Sequence, residues 1–477
     1  MKLLVIAADA LIPNYIFDKR ELFPNIKRLI NKGASSEISS YAQRCYTGSF
    51  TSSQNWASIY TGLPPHEHKI NIKKKSNEYC HPKMNEFKNL LPIWDIFNSN
   101  KYSMGMVQPA CCIKPVPIDG FCVTSTYSPI FSPSENREAK RHIQVCEKDS
   151  WILKLISDKP PPRVYPKTLG QLGYSFEELR INPDLVDKMY SMYNFEEVIA
   201  SFKNELDFCY MLIQKVKLEK SVDILWFYTP STDIIPHFVL YEDDSKVLIE
   251  CYKLLDSFIG KLLSDYSPQN VVIMSDHGQS NFKDLVKCSN QKVQREVFSK
   301  TDDAIWLNNG YIALEATNGG LLLTTHTLKG VFIACGKNIK NIEIADMRTL
   351  DIYPTLLEML DIIVPEGRSG FVVDIFNKPL LNASLVLKEK IVKYKNIALI
   401  QTHEINIIDI IINELYIEKR FSLITIVGDQ KYKEIFQNNP RVFNFVPIDM
   451  FNADNYEEVF CGFYNSKTGL IKHIKVK

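Results

Sequence analysis

Three carboxylates and three imidazoles in this 477-residue chain each lie close to an apolar run. Asp9 ends LLVIAAD. Asp233 and, four residues on, His237 lie in ILWFYTPSTDIIPH. Asp276 and His277 close VVIMSDHG, and His326 stands in LLLTTHTLKGVFIACG just ahead of the next run. Six such groups are what two divalent ions need when each takes three protein ligands and keeps positions open for a nucleophile and phosphoryl oxygens. Mixed oxygen and nitrogen donors suit zinc best, and manganese or iron is compatible with them. A second feature is FTSSQNWASIYTGLPPHEHKI, where the hydroxyls of Thr51, Ser52 and Ser53 stand together ahead of Asn55. A hydroxyl becomes a nucleophile only when something activates it, and two metal ions would do so. Taken singly, each residue also has an ordinary role: a strand-end aspartate caps a helix or forms a turn, Asp233 and His237 fit an Asx turn with a surface histidine, and Ser52 fits a helix cap. Their recurrence in order, each near a strand end, is what marks a site.

The elements that must position these groups are legible as alternating patterns. Strand-like runs LLVIAA (from Leu3), VDILWFYT (from Val222), NVVIMS (from Asn270) and KGVFIAC (from Lys329) are separated by segments such as FPNIKRLINKG and EVIASFKNELDFCYMLIQKVK, whose apolar residues recur at three and four. Continuous apolar strands separated by helices imply an α/β fold with a largely parallel sheet covered on both faces, and ligands then sit beyond the carboxyl ends of the strands. The proline-rich stretch of about 100–195, with YSPIFSPSE and KPPPRVYP, predicts a cap-like insertion over the sheet rather than regular core elements. A break near 377–390 precedes a strand–helix rhythm over 390–477 that predicts a small Rossmann-like α/β module, with a helix over EINIIDIIINELYIEK, a shorter one over DQKYKEIFQ, and an edge strand in the tail IKHIKVK. The turn after its first strand holds no glycine, so no dinucleotide cofactor is implied.

Composition restricts the partners. Lys+Arg 56 against Asp+Glu 55 leaves a net charge of +1, so no bulk field favours nucleic acid or an anionic membrane, and an anionic substrate must be attracted locally. Eleven scattered cysteines without a C-x-x-C fit reduced thiols in a cytoplasmic protein. The start, MKLLVIAADAL, reads as a buried first strand rather than a signal peptide, and no run approaches the roughly 20 apolar residues that span a bilayer. A small-molecule phosphoester is the expected partner, and a homo-oligomer is left open.

The order Asp9, SSQNWASIYTGLPPHEH, DIIPH, SDHG, THTLKGVFIACG and TLDIYPTLLEMLDIIVPEGRSG resembles the alkaline phosphatase superfamily, in particular its type I phosphodiesterase and nucleotide pyrophosphatase branch, over about residues 1–380. The resemblance implies an alkaline phosphatase-like three-layer catalytic domain over 1–380. In that branch the nucleophile lies nine residues before the threonine of the Thr-Gly pair, and a phosphate-binding asparagine follows three residues later. Counting from Thr61, this implies Ser52 as nucleophile and Asn55 as phosphate ligand. It further implies one metal on Asp233, His237 and His326, and the other on Asp9, Asp276, His277 and Ser52. The chain departs from the pattern at Ser53-Gln54, where the family has a proline, at Lys69 in place of glycine, and in using serine rather than threonine; Ser53 and Thr51 are the alternative nucleophiles. His66 and His68 fall outside the ligand set, as residues that support a ligand from behind or lie on the surface. The implied reaction is phosphodiester hydrolysis through a phosphoserine, with a monoester, a phosphonate or phosphotransfer as alternatives on the same site and an inactive binding protein as the alternative of another class. No motif supplies an arginine to the phosphate, which favours a diester. SFTSSQNW lacks the sulfatase signature, and AADALIPN lacks the opening turn of the phosphoglycerate mutase branch.

Overall fold

A computed structural model describes residues 1–40, 52–68, 70, 73–75, 78–80, 87, 89–110, 115–127, 138–139, 141–156, 160–164, 169–182, 184–192, 195–239, 245–281, 304–306, 312–315, 321–322, 324–327, 329–345, 347–386, 395–400, 422–433, 444–456, 458–465 and 470–476. The four apolar runs form strands β1 (Leu3–Ala8), β6 (Ile224–Thr229), β7 (Asn270–Met274) and β10 (Lys329–Gly336), and the chain adds β2 (Ala34–Ser39), β3 (Met104–Val107), β4 (Gly120–Tyr127), β5 (Arg141–Val145), β8 (Gly278–Asn281), β9 (Thr324–Thr327), β11 (Ile342–Glu343) and β12 (Met347–Arg348). A ten-stranded sheet runs in the order β11-β2-β10-β7-β1-β6-β3-β4-β5, with β12 also paired to β2. Its centre, β7-β1-β6-β3-β4, is parallel, whereas β10 and β5 run antiparallel to their neighbours. Strands β8 and β9 form a separate antiparallel ribbon.

Side chains of β1 alternate between two cores, as a central strand buried on both faces requires. The helices that cover the sheet are α1 (Ser52–Thr61), α2 (Phe195–Glu219), the short α3 (Ser231–Val239), α4 (Lys246–Tyr266) and α5 (Thr349–Met359). Leu4 and Ile6 pack with Phe202 and Leu206 of α2 and with Leu255 and Ile259 of α4. Leu3 and Val5 pack on the other face with Trp56 and Tyr60 of α1 and with Ile352 and Leu356 of α5. Each such apolar side chain contributes about 1.5–3 kcal/mol when fully buried, so the layers are held chiefly by this packing. The architecture is the predicted α/β sandwich.

The expected cap over 100–195 needs correction. Residues 104–107, 120–127 and 141–145 are strands of the main sheet, not a covering element. β3 is only MGMV, too short to show a period, and is followed by the prolines of KPVPID. The irregular character holds for the later part, where the short helices Phe176–Ile181 and Leu185–Ser191 gather around Leu169, Leu179, Val186 and Met189.

Towards the C-terminus a second sheet has the order β15-β14-β13-β16-β17, with β13 (Lys395–Ile400), β14 (Ser422–Gly428), β15 (Asn444–Pro447) and β16 (Glu458–Asn465) parallel and β17 (Leu470–Lys475) antiparallel at the edge. Ala398, Val427 and Val459 form its small core. The tail is thus the edge strand that its alternation predicts. The helix expected over 404–419 and most of the one over 429–437 lie outside the described residues; within the latter, Gln430–Tyr432 form one 3-10 turn capped by Asp429. Among the described residues no helix is long and apolar enough to cross a membrane.

Candidate active site

Strands β7, β1 and β6 are adjacent, parallel and in level register: Ala7 lies beside both Tyr228 and Met274. The residues that follow them leave the sheet at one edge, which brings Asp9, Asp276, His277 and the start of α3 together. Asp233 and His237 share one face of α3 because four residues is about one helical turn. His326 arrives from β9, directly opposite Gln279 of β8. The glycine of SDHG is required by close approach: a Cβ on Gly278 would lie 2.2 Å from the Lys329 carbonyl oxygen.

The six groups converge. His326 Nε2 is 3.0 Å from Asp233 Oδ1 and 3.1 Å from His237 Nε2, which is itself 3.5 Å from Asp233 Oδ1. His277 Nε2 lies 3.4 Å from Asp276 Oδ2 and 3.6 Å from Asp9 Oδ1, and its ring stacks on His326 at 4.0 Å between centroids. Ligand atoms of Asp9, Asp276 and His277 lie within 4.8 Å of one another, as do those of Asp233, His277 and His326, so His277 joins the two halves. Ser52, the first residue of α1, places Oγ 2.9 Å from His277 Nε2.

The halves differ in environment. Asp9, Asp276 and His277 are buried, whereas the side chains of Asp233, His237 and His326 keep between 11% and 17% of their surface, which makes theirs the side open to solvent. Burial pushes the Asp9 carboxyl up to about 6, with the Asp233 charge adding to the rise. Asp276 is raised well above the usual carboxylate range by burial first and by the Asp9 charge next. Burial, then His326, pushes His277 down to about 3. Burial also pulls Asp233 upwards, but the His326 and His237 imidazoles hold it well below its ordinary value.

These residues fit divalent cations. Asp9 Oδ1 and both Asp276 oxygens are buried without a hydrogen-bond partner among the described residues, an arrangement that costs free energy unless a cation meets it. His277 Nδ1 donates to the Gly278 carbonyl at 3.0 Å, which turns the Nε2 lone pair towards the carboxylates, as metal-ligating imidazoles require. Ligands must also be deprotonated, so metal affinity should fall as pH drops through about 6, where Asp9 takes up its proton, by about tenfold per pH unit for each proton displaced. Calorimetric titration of the metal-free protein between pH 7.5 and pH 5 checks this; a flat affinity would exclude Asp9 as a ligand.

Asn55 lies in the first turns of α1, fully buried, and neither its Nδ2 nor its Oδ1 has a hydrogen-bond partner among the described residues. His68 is structural. It accepts from Ile70 N at Nδ1 (3.0 Å) and meets Ser58 Oγ through Nε2 (3.3 Å), locking the turn behind α1. Ser53 is buried in the same helix, while Thr51, Lys69 and the His66 side chain lie outside the described residues. Sequence reasoning did not find Tyr228, whose hydroxyl donates to Asp9 Oδ2, nor Gln279 and Thr324, which bond Asp233 and His237. Their contacts depend on strand register, which no local motif signals.

The sequence profile of type I phosphodiesterases / nucleotide pyrophosphatases matches residues 3–317. The chain belongs to this family. It is a phosphoester hydrolase, and the members of the wider superfamily use divalent metals. The match contains Asp9, Ser52, Asn55, Asp233, His237, Asp276 and His277 and ends before His326, so the place of His326 in the site rests on its geometry. Among solved structures the family member is similar to the wild-type alkaline phosphatase PafA, at 14% identity over 77% of this chain and 97% of that chain with a TM-score of 0.45. It is also similar to murine ectonucleotide pyrophosphatase / phosphodiesterase 5, an inactive form in complex with AMP, at 12% identity over 77% of this chain and 97% of that one with a TM-score of 0.43. The human ectonucleotide pyrophosphatase / phosphodiesterase 5 gives 13% identity, 77% and 97% coverage and a TM-score of 0.42. No curated protein sequence matches the chain.

Proposed function

We propose that the protein is a two-metal phosphodiesterase that works through a phosphoserine at Ser52. The observation that supports this reading is the convergence of Ser52 Oγ and six metal-type ligands at one sheet edge. Divalent ions, zinc by the donor set, held by Asp9, Asp276 and His277 and by Asp233, His237 and His326, would lower the pKa of the serine hydroxyl and neutralise the phosphoryl oxygens. Ser52 Oγ attacks phosphorus, a new Oγ–P bond forms, the bond to the leaving oxygen breaks, and the serine proton ends on the leaving alcohol. Water then cleaves the Oγ–P bond and Ser52 regains a proton. The buried Asn55 amide, three residues along α1, donates to a non-bridging oxygen where negative charge accumulates.

The Ser52–His277 contact also invites a Ser–His dyad. An imidazole pushed down to about 3 is a poor proton acceptor, so the contact reads as two groups aimed at one cation rather than nucleophile and general base. Diesters are favoured over monoesters by charge. The buried arginines among the described residues, Arg163 and Arg348, are engaged by Glu205 at 3.1 Å and Asp351 at 2.7 Å, and the group that α1 offers beside Ser52 is the neutral Asn55 amide. The test is zinc- and manganese-supplemented turnover of an aryl phosphodiester, the matching phosphomonoester and an aryl sulfate. Diester hydrolysis should be fastest; faster monoester turnover, or none of the three with metal bound, would sink the reading.

A further inference from the structure

Around the open half of the site, two residues outside the ligand set are bonded to its members. Gln279, buried on β8, donates through Nε2 to the Asp233 carbonyl oxygen at 2.8 Å and to Asp233 Oδ1 at 2.5 Å. With Nε2 facing two acceptors, the amide has one sensible orientation, and its Oε1 faces the Thr324 hydroxyl at 3.5 Å. Thr324, also buried, lies two residues from His326 on β9, and its Oγ1 is 3.1 Å from His237 Nδ1, with its carbonyl oxygen at 3.3 Å. Gln279 stands opposite His326 in the ribbon, so the side chains of Gln279, Thr324 and His326 emerge on one face.

Donors and acceptors around this circuit agree. Asp233 only accepts, so Gln279 donates to it; Gln279 Oε1 only accepts, so the Thr324 hydroxyl donates to it. The lone pairs of Thr324 Oγ1 are then left to receive the His237 Nδ1 proton, and His237 Nε2 keeps its own lone pair towards Asp233 Oδ1 and His326. One neutral amide and one hydroxyl thereby fix the carboxylate rotamer of Asp233, the tautomer of His237 and the strand that brings His326. No comparable pair serves the buried half among the described residues: there Tyr228 bonds Asp9 and the Gly278 carbonyl orients His277.

We infer that Gln279 and Thr324 are positioning residues that preset Asp233, His237 and His326 as one metal-binding half, separately from the half formed by Asp9, Asp276 and His277. The inference rests on the two-metal reading above. Outer partners of this kind change metal affinity by about 10–100-fold when removed. Gln279→Met and Thr324→Val keep side-chain volume and remove the side-chain polar contacts, while the main-chain carbonyl of residue 324 stays beside His237 Nδ1. Zinc is titrated calorimetrically into metal-free wild type and variants, and the thermal unfolding midpoint of each metal-free protein is recorded. Wild type should take two equivalents. Each variant should keep one equivalent at wild-type affinity, bind the other about 10–100-fold more weakly, and unfold near the wild-type midpoint. Thr324→Ser restores the hydroxyl and should restore the weakened equivalent, which a role in packing alone does not predict. Two equivalents at wild-type affinity in both polar-deleted variants would overturn the inference while leaving the two-metal enzyme standing. Equal weakening of both equivalents together with a lowered midpoint would also overturn it, as general loosening of the fold. A wild type that takes fewer than two equivalents would overturn the two-metal reading and this inference together.

Discussion

Ser52→Ala should abolish phosphodiester turnover while leaving both metal equivalents in place. Removing a covalent nucleophile costs about four or more orders of magnitude in kcat, about 5 kcal/mol or more of transition-state stabilisation. The fold should hardly respond, because the substitution deletes one oxygen at the first position of α1 and, among the described residues, one contact, Oγ to His277 Nε2 at 2.9 Å. Kinetics with an aryl phosphodiester and metal content by mass spectrometry on the same preparation make the comparison direct. Activity within tenfold of wild type would move the nucleophile to Ser53 or Thr51. Loss of metal along with activity would show Ser52 to be a ligand above all.

Asp276→Asn should act in opposite directions on function and on stability. The side chain is fully buried, both carboxylate oxygens lack a hydrogen-bond partner among the described residues, and Asp9 stands beside it. An amide of the same shape is a poor ligand for a hard cation, so one metal equivalent should be lost and kcat should fall by about 10³-fold or more, about 4 kcal/mol. The metal-free variant, however, should unfold at a higher temperature than metal-free wild type at neutral pH. The sign follows from the raised pKa. Relative to the unfolded chain, the stability that protonated Asp276 provides is fully present below the ordinary carboxyl value of 3.8 and is lost as pH rises through the elevated folded value. At neutral pH the wild-type carboxyl therefore suffers either ionisation in a buried, already negative place or the cost of keeping its proton, and Asn avoids both. Thermal unfolding with a chelator at pH 7 and at pH 3 checks this: the gain should be present at the first and vanish at the second. A variant less stable than wild type at pH 7 would mean that Asp276 carries a structural hydrogen bond instead of a ligand role.

How much was legible depends on the range of the signal. Of the six candidate ligands, Asp9, Asp276 and His277 could be read because they directly follow parallel apolar strands whose carboxyl ends share one edge, Asp233 and His237 because they follow β6 at the spacing of one helical turn, and His326 because it stands just ahead of the apolar run of the antiparallel β10. Ser52 and Asn55 could be read through spacing to Thr61, and the helix α1 begins where that spacing puts the nucleophile. β3 was missed because MGMV is too short for periodicity and its neighbour β6 is distant in sequence, so only the assembled sheet reveals it as a strand. Tyr228, Gln279 and Thr324 were missed for a related reason. A tyrosine, an amide and a threonine are ordinary strand residues, and what makes them part of the site is that register brings Tyr228 level with Ala7 and Gln279 opposite His326.

The alternation of β1 between two cores makes this strand a ruler. Leu3 and Val5 serve the layer that carries Ser52, Leu4 and Ile6 serve the opposite layer, and Asp9 is the first residue past the end of the scale. Substituting one apolar residue for another of similar size leaves the scale intact. Deleting a single residue within β1 would turn every residue after it to the opposite face and draw Asp9 back by about 3.3 Å, away from His277. Variation in length must therefore be accommodated outside β1, and a chain of this family with one residue fewer between its first strand residue and its first aspartate would have to rebuild both cores to keep its site.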